Sequence, residues 1–506
     1  MMRIVTLALL LALVFVTPST LALQSQQTRA ASILIRGGML IDGSGAPARR
    51  ADVRIVGDKI AAIGQLKPQA DERVIDAKGL TIAPGFIDIH NHSEGGLNND
   101  PTARSQLLQG ITTLALGPDG ASPYPIAKYL SLREERRAAV NLLSFIGHAT
   151  VRQQVMGRDY NRTATPAEIT RMRTLVEQAM QEGAFGLSSG LEYDVGYPSA
   201  TEEVIELAKA AARHGGIYMS HIRDESDDML AALGEAIRIG REAKLPVQIS
   251  HIKMGTVGVW DKSSEAIKTI MAAQKSGVDV TADCYPYEAW ASTITVLVPS
   301  RRHDDAKAVA KGLADVGGAA NVLITNCAAH REYQGKTLEE IARAQNRSPV
   351  DVYIEIVKDG GASVVCRSMK EADIENFYKQ PWVMVASDGG IGMPHPRGAG
   401  TYPRVLGRFV REKGWLTLAE AIRKMTSLPA ARLGLKDRGT LRPGMKADIV
   451  FFDAATVIDH STMTSPFIEP TGIRHVFVNG VAVLEDGKVT NALPGAVLRH
   501  QTGIKK

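Results

Sequence analysis

Eight short apolar runs, each ending in a polar side chain, alternate along this chain with Ala-, Glu- and Arg-rich stretches of helical spacing. The first run, Leu80 to Ile89, closes on His90-Asn91-His92; the second, Ile111 to Leu116, leads into Gly117-Pro118-Asp119-Gly120. Later runs deliver His148, Ser188, His221, His251, Asp283 and Asp388. Strand and helix alternating eight times predict an α/β chain, a (β/α)8 TIM-like barrel over residues 83–437. Such a barrel carries its chemistry at the carboxyl ends of its strands.

The segments outside the barrel read differently. Residues 32–82 and 438–498 are short alternating strands broken by turn residues, with Asn479-Gly480 a strong hairpin signal. Strand-rich ends on both sides of a barrel imply one small β-sandwich built from both termini. Within the barrel, Pro166 to Gln181 and Glu202 to His214 have helical periodicity. Thr165 and Glu168 are spaced for a capping box with Pro166 at the first position, and Thr201 is placed to cap the second helix. From Trp290 to about Asn346 the pattern loosens over a stretch too long for a plain loop, which suggests a cap inserted over the active site.

Met1-Met2-Arg3, an apolar run from Ile4 to Val16 and small residues to Ala22 describe a secretory signal peptide over residues 1–23. The expectation is an exported protein, periplasmic or secreted, with no membrane span after the leader is removed. The three cysteines, Cys284, Cys327 and Cys366, are too few and too odd for a disulfide framework. A formal charge of +5 without any Lys/Arg block interleaved with aromatics argues against a nucleic-acid partner. The oligomeric state is open at this level.

The strand ends collect the residue types that bind a divalent metal and move protons. Side chains two apart on a strand share a face, so His90 and His92 can converge on one ion. His221 and His251 follow equivalent apolar runs, and with them the set predicts a metal site of one or two ions. Asp388, at the end of a near-continuous apolar strand, is placed to ligate metal and to pass a proton from water to a leaving group. Arg223, Lys253 and Arg397, with Tyr193, Tyr285 and Tyr287, lie just past strand ends. Cations beside a metal suit a small anionic substrate; the alternative is a salt bridge to Asp224 or Glu225. His148 and His395 read as bracing residues, and Asp283 as one that orients a ligand histidine from behind.

Taken together, Ala83-Pro84-Gly85-Phe86-Ile87-Asp88-Ile89-His90-Asn91-His92, Gly186-Leu187-Ser188-Ser189-Gly190-Leu191, the His221 and His251 segments, Tyr285-Pro286-Tyr287, Ser387-Asp388-Gly389, Pro394-His395-Pro396-Arg397 and Met425-Thr426-Ser427-Leu428-Pro429-Ala430 resemble the D-aminoacylases. These are N-acyl-D-amino-acid deacylases of the amidohydrolase superfamily. The resemblance spans about Ile33 to Leu498. It implies a barrel with a small β-sandwich, zinc, and hydrolysis of N-acyl-D-amino acids to a carboxylate and a free D-amino acid. It implies further that His90, His92, His221 and His251 ligate metal, that Asp388 is the general base, and that Lys253, Tyr285 and Arg397 receive the substrate carboxylate. Where the family commonly carries Gly-Asn-Cys-Gly, this chain has Gly117-Pro118-Asp119-Gly120, so Asp119 replaces a thiolate by a harder oxygen donor. The stretch after Tyr287 is shorter than is usual for the family. A D-dipeptidase or a cyclic-amide hydrolase on the same scaffold, and a binding protein that lost its chemistry, are the competing readings.

Overall fold

The computed structural model describes residues 32–501, so the leader expected over residues 1–23 lies outside the described residues. Eight parallel strands form a ring: β1 (Phe86–Asp88), β2 (Ile111–Leu116), β3 (Asn141–Ser144, resumed as Ile146–Gly147), β4 (Gly186–Gly190), β5 (Ile217–His221), β6 (Val247–Ile249), β7 (Val280–Cys284) and β8 (Val383–Val385). Each pairs in parallel with the next. Every residue of β2, β5 and β8 is buried, as strands covered on both faces require.

The ring closes between β8 and β1. Asn91 bridges Gly389 in parallel, the His92 amide donates to the Gly389 carbonyl at 2.7 Å, and the Asp388 amide donates to the His90 carbonyl at 3.0 Å. Beneath this seam the buried Asp88 carboxylate accepts from the Ser387 amide at 2.9 Å, from the Asn91 side-chain amide at 2.8 Å and from the Ser387 hydroxyl. The expected barrel is therefore present as a closed sheet.

The helix Pro166–Gln181 begins with the capping box expected of its sequence. Thr165 Oγ1 accepts from the Glu168 amide at 3.3 Å, and Glu168 Oε2 accepts from the Thr165 amide at 2.7 Å. Thr201 does not cap the next helix. That helix runs Thr201–Arg213 with Ala200 extended at the cap position, and the Thr201 hydroxyl donates to Glu235 at 2.7 Å on a neighbouring helix.

Both ends of the described chain meet in one sheet. Thr81–Pro84 lies between Met39–Leu40 and Ile449–Phe452, and the latter continues into Ile473–Val478 and Val481–Glu485. Asn479 (φ +48°) and Gly480 (φ +78°) make the hairpin turn, where positive φ at both positions matches the strand twist. A second sheet, ordered Lys59–Gly64, Asp52–Val56, Ser32–Arg36 and Arg73–Asp76, adds Val53 and Ile55 to a core shared with Ile82, Ile449, Phe451 and Phe477. The strands of this sandwich end at Val489, not at residue 498. The tail turns to the barrel, bridging Leu142 to Val497 and donating from the His500 amide to Gly183 at 3.0 Å, because β3 offers it free backbone groups.

Between β7 and β8 sits a unit with its own core. Ser363–Cys366 is the middle strand of an antiparallel sheet between Trp290–Thr293 and Val322–Asn326. Ile294, Val309, Ile324, Tyr353 and Ile356 fill its interior. The insertion thus reaches Cys366 rather than ending near Asn346: its central strand comes last in sequence, and the helix Pro349–Lys358 packs inside it. Cys284, Cys327 and Cys366 are all buried free thiols. Among the described residues, no helix is long and apolar enough to cross a membrane.

Asp88→Ala leaves the buried Ser387 amide and hydroxyl without an acceptor and the Asn91 amide with only its 3.4 Å contacts to Gln106 and Ser387, a loss of about 3 kcal/mol. The expected outcome is a lower urea midpoint at unchanged slope; a wild-type midpoint would remove Asp88 from the closure.

Candidate active site

The side chains at the carboxyl rim converge because several strands end in unusual backbone conformations. Asp119 (φ +54°), His251 (φ +33°) and Asp388 (φ +48°) all occupy the left-handed region although none is glycine. Such positions cost on the order of 1–2 kcal/mol each and survive only where surrounding packing enforces them. Ser188 supplies part of that enforcement, donating to the Gly117 carbonyl at 2.6 Å and accepting from the Gly120 amide at 3.2 Å. Gly190 supplies another part: a Cβ there would stand 2.3 Å from the Asp119 carbonyl oxygen. The left-handed turns swing each side chain off its strand and over the mouth of the barrel.

Two donor groups result, and Asp119 belongs to both. His90, His92, Asp119 and Asp388 form one; Asp119, His221 and His251 form the other, with all ligand atoms of each group within 4.8 Å of one another. His90 Nε2 lies 3.2 Å from Asp119 Oδ2 and 3.5 Å from Asp388 Oδ1, and His92 Nε2 lies 3.3 Å from both carboxylates. On the other side, His251 Nε2 is 3.5 Å from Asp119 Oδ1 and 2.9 Å from His221 Nδ1. The donor set suits a divalent ion. Four imidazoles and two carboxylates match zinc's preference for nitrogen and oxygen, and the buried Asp119 Oδ1 has no hydrogen-bond partner.

Electrostatics agree with that fit. Burial alone would push the His92 imidazole down, yet hydrogen bonds to Asp119 and Asp388 raise it to about 10. Burial works against the Asp388 carboxylate too, but the Arg397 guanidinium, with His251 and His90, holds it far below the usual carboxylate range. A field that favours a proton between these groups favours a metal cation for the same reason.

The remaining predicted residues divide. Arg397 Nη1 sits 2.6 Å from Asp388 Oδ2, and Lys253 Nζ donates to both oxygens of Glu225 at 2.6 and 2.8 Å and reaches His251 Nδ1 at 2.7 Å. Tyr285 lies against both cations through its ring, 4.9 Å from Arg397 and 5.7 Å from Lys253, while its hydroxyl turns to Met369 Sδ at 3.6 Å. It therefore presents a ring face to the cations, not the hydroxyl that a carboxylate contact calls for. Tyr193 places its hydroxyl 3.2 Å from His221 Nδ1. Tyr287 packs under Arg404 instead, 4.6 Å from its ring centre.

Arg223 does not join the site. Its guanidinium forks onto Glu235 at 2.8 Å twice and donates to the Tyr197 carbonyl, in a groove separate from the rim cavity. A carboxylate on the neighbouring helix is a better bidentate partner than anything the cavity offers it. His148 is held by Glu203 at 2.8 Å, and His395 accepts the Arg397 amide at 3.0 Å while facing the Ala289 carbonyl at 3.1 Å. Asp283 accepts the His251 amide at 2.8 Å and stands 3.7 Å from His90 Nδ1, so it fixes the backbone of one histidine and backs the ring of another.

Two residues escaped the sequence reading as members of the site. Glu225 partners Lys253 and His251, realising the salt-bridge alternative, and Glu192 Oε2 lies 2.8 Å from His221 Nε2. Their only signal was position, each within four residues of the strand-end residue Gly190 or His221.

A closed βα barrel with imidazoles and carboxylates gathered at its carboxyl rim defines a metal-dependent hydrolase. A model of the amidohydrolase family matches residues 73–484, and the chain belongs to that family. It is 38% identical to the D-aminoacylase of Alcaligenes xylosoxydans xylosoxydans over 92% of this chain and 97% of that protein. A solved D-aminoacylase studied for its binuclear metal centre is 36% identical, covers 92% and 99% of the two chains and superposes with a TM-score of 0.84. The N-acyl-D-glutamate deacylase of Bordetella bronchiseptica, solved with zinc and a phosphonate mimic of the tetrahedral intermediate, is 33% identical over 93% and 100%, with a TM-score of 0.83.

Because Asp119 belongs to both donor groups, Asp119→Ala should lower zinc retained after dialysis by at least half, measured by elemental analysis. Full wild-type zinc content would take Asp119 out of the ligand set.

Proposed function

We propose that this chain hydrolyses the amide bond of N-acyl-D-amino acids, releasing a carboxylate and a free D-amino acid. The observation that carries the reading is Asp388: one oxygen faces His90 and His92, and the other is held by a cation suited to an anionic substrate. The relatives at 33–38% identity that act on N-acyl-D-amino acids support the same substrate class.

His90, His92, Asp119, His221, His251 and Asp388 are the residues that would hold zinc, which supplies Lewis acidity at the carbonyl and lowers the pKa of water towards about 7. Arg397 fixes Asp388 Oδ2, leaving Oδ1 directed at the imidazole cluster. Asp388, kept ionised, accepts the proton from attacking water as the new C–O bond forms. The same carboxyl then returns that proton to the amide nitrogen as the C–N bond breaks, so the leaving group departs as an amine. Lys253 and Arg397 draw in the substrate carboxylate, and Tyr193 stands beside His221 at the cavity wall. His395 holds the Arg397 backbone in place.

The leader-like residues 1–23 support export to the periplasm or the medium.

Asp388→Asn removes the proton acceptor while keeping an oxygen donor. Turnover of N-acetyl-D-amino acids should fall by at least about 1,000-fold, on the scale of general acid–base catalysis, with zinc content close to wild type. Retained turnover in the zinc-loaded variant would reject the assignment.

A further inference from the structure

Each buried imidazole of the donor groups turns one nitrogen inwards and the other away. His90 and His251 turn Nε2 inwards: His90 Nε2 lies 3.2 Å from Asp119 Oδ2, and His251 Nε2 lies 3.5 Å from Asp119 Oδ1. His221 is reversed. Its Nδ1 stands 2.9 Å from His251 Nε2, while its Nε2 points away and meets Glu192 Oε2 at 2.8 Å. Glu192 is buried, and no step of the proposed hydrolysis uses it.

The loop after β4 is built to bring Glu192 there. The Leu191 amide donates to the His221 carbonyl at 3.1 Å, so the two segments are fastened backbone to backbone beside the contact. The loop then folds back on itself. The Tyr197 amide donates to the Tyr193 carbonyl at 2.8 Å, and a Cβ on Gly196 would stand 2.2 Å from the Gly190 carbonyl oxygen. Glu225 also brings a carboxylate oxygen within 4.8 Å of ligand atoms of His221 and Glu192, but both its oxygens accept from Lys253. Among the described residues, Glu192 is the carboxylate hydrogen-bonded to His221.

An ionised carboxylate only accepts, so the nitrogen beside it carries the proton of the neutral ring. The lone pair that a metal ion needs then lies on Nδ1. Holding Nε2 also blocks a half-turn of the ring, which would put carbon Cδ2 where Nδ1 stands. A carboxylate behind a ligand histidine can fix both tautomer and orientation in this way. We infer that Glu192 is a positioning residue of the metal site, acting through His221 to keep the Nδ1 lone pair on the donor group. The inference goes beyond the deacylase reading, because it concerns zinc binding whichever amide is hydrolysed.

The test is zinc affinity of the full chain, measured by competition with a chelating indicator, with far-UV circular dichroism to check that each variant keeps its fold. Glu192→Leu should weaken zinc binding by at least about tenfold, and Glu192→Gln, whose amide oxygen still accepts from Nε2, by less than about threefold. In a His221→Ala background, Glu192→Leu should change affinity by less than about twofold, since the ring it acts through is gone. Glu192→Met serves the same purpose should the leucine variant not fold. Wild-type affinity in the apolar variant overturns the inference, and so does an equal loss with and without His221.

Discussion

The seam between the eighth strand and the first is the constraint on which the active site depends. His90 and His92 lie almost 300 residues from Asp388 in sequence, yet the amide of each of His92 and Asp388 is tied to the other segment's backbone. Asp88 secures the joint from below by accepting from Ser387 and Asn91. A barrel that did not close here would leave two imidazoles on one edge of an open sheet and the carboxylate on the other. Closure removes both sheet edges and assembles a metal-type donor set in the same step.

Assembly of so many titratable groups in one buried place carries an electrostatic cost, and the site meets it by matching charges one to one. Asp388 is paired with Arg397, Glu225 with Lys253, Glu192 with His221, and Asp119 stands among imidazoles on both sides. Truncating one partner would expose the other to the full desolvation penalty. Lys253 is 3% exposed and Arg397 likewise 3%, so both act inside a low-dielectric wall, where each is worth more than at a surface.

Barrel strands and their terminal residues were legible in the sequence because a buried parallel strand leaves a continuous apolar run, and its first polar residue marks the rim. His90, His92, His221, His251 and Asp388 were found that way. Past the rim the signal fades. Nothing in the pattern Arg223-Asp224-Glu225 says that Glu225 turns inwards to Lys253 while Arg223 turns out to Glu235, because a loop has no period to assign faces. The sequence puts Tyr285 beside the cations but does not say which part of it meets them: its ring lies against Arg397 and Lys253, and its hydroxyl turns to Met369. Thr201 failed as a cap for a related reason, since a hydroxyl at a helix start serves the neighbouring helix equally well when an acceptor such as Glu235 is there. The end of the insertion was missed because its central strand, Ser363–Cys366, pairs with segments far earlier in the chain, a non-local order that local periodicity does not encode.

The position of that insertion has a physical logic. It leaves the barrel after β7 and returns just before β8, the strand that carries Asp388. Its own core of Ile294, Val309, Ile324, Tyr353 and Ile356 is separate from the barrel's, so its cavity-facing surface can change without disturbing the ring. Trp290 pins one of its ends, donating to Ser368 Oγ at 2.8 Å and to the Gly255 carbonyl, four residues after His251. Catalytic geometry is thus held by rigid strands that tolerate little change, and the opposite wall by a unit with a core of its own.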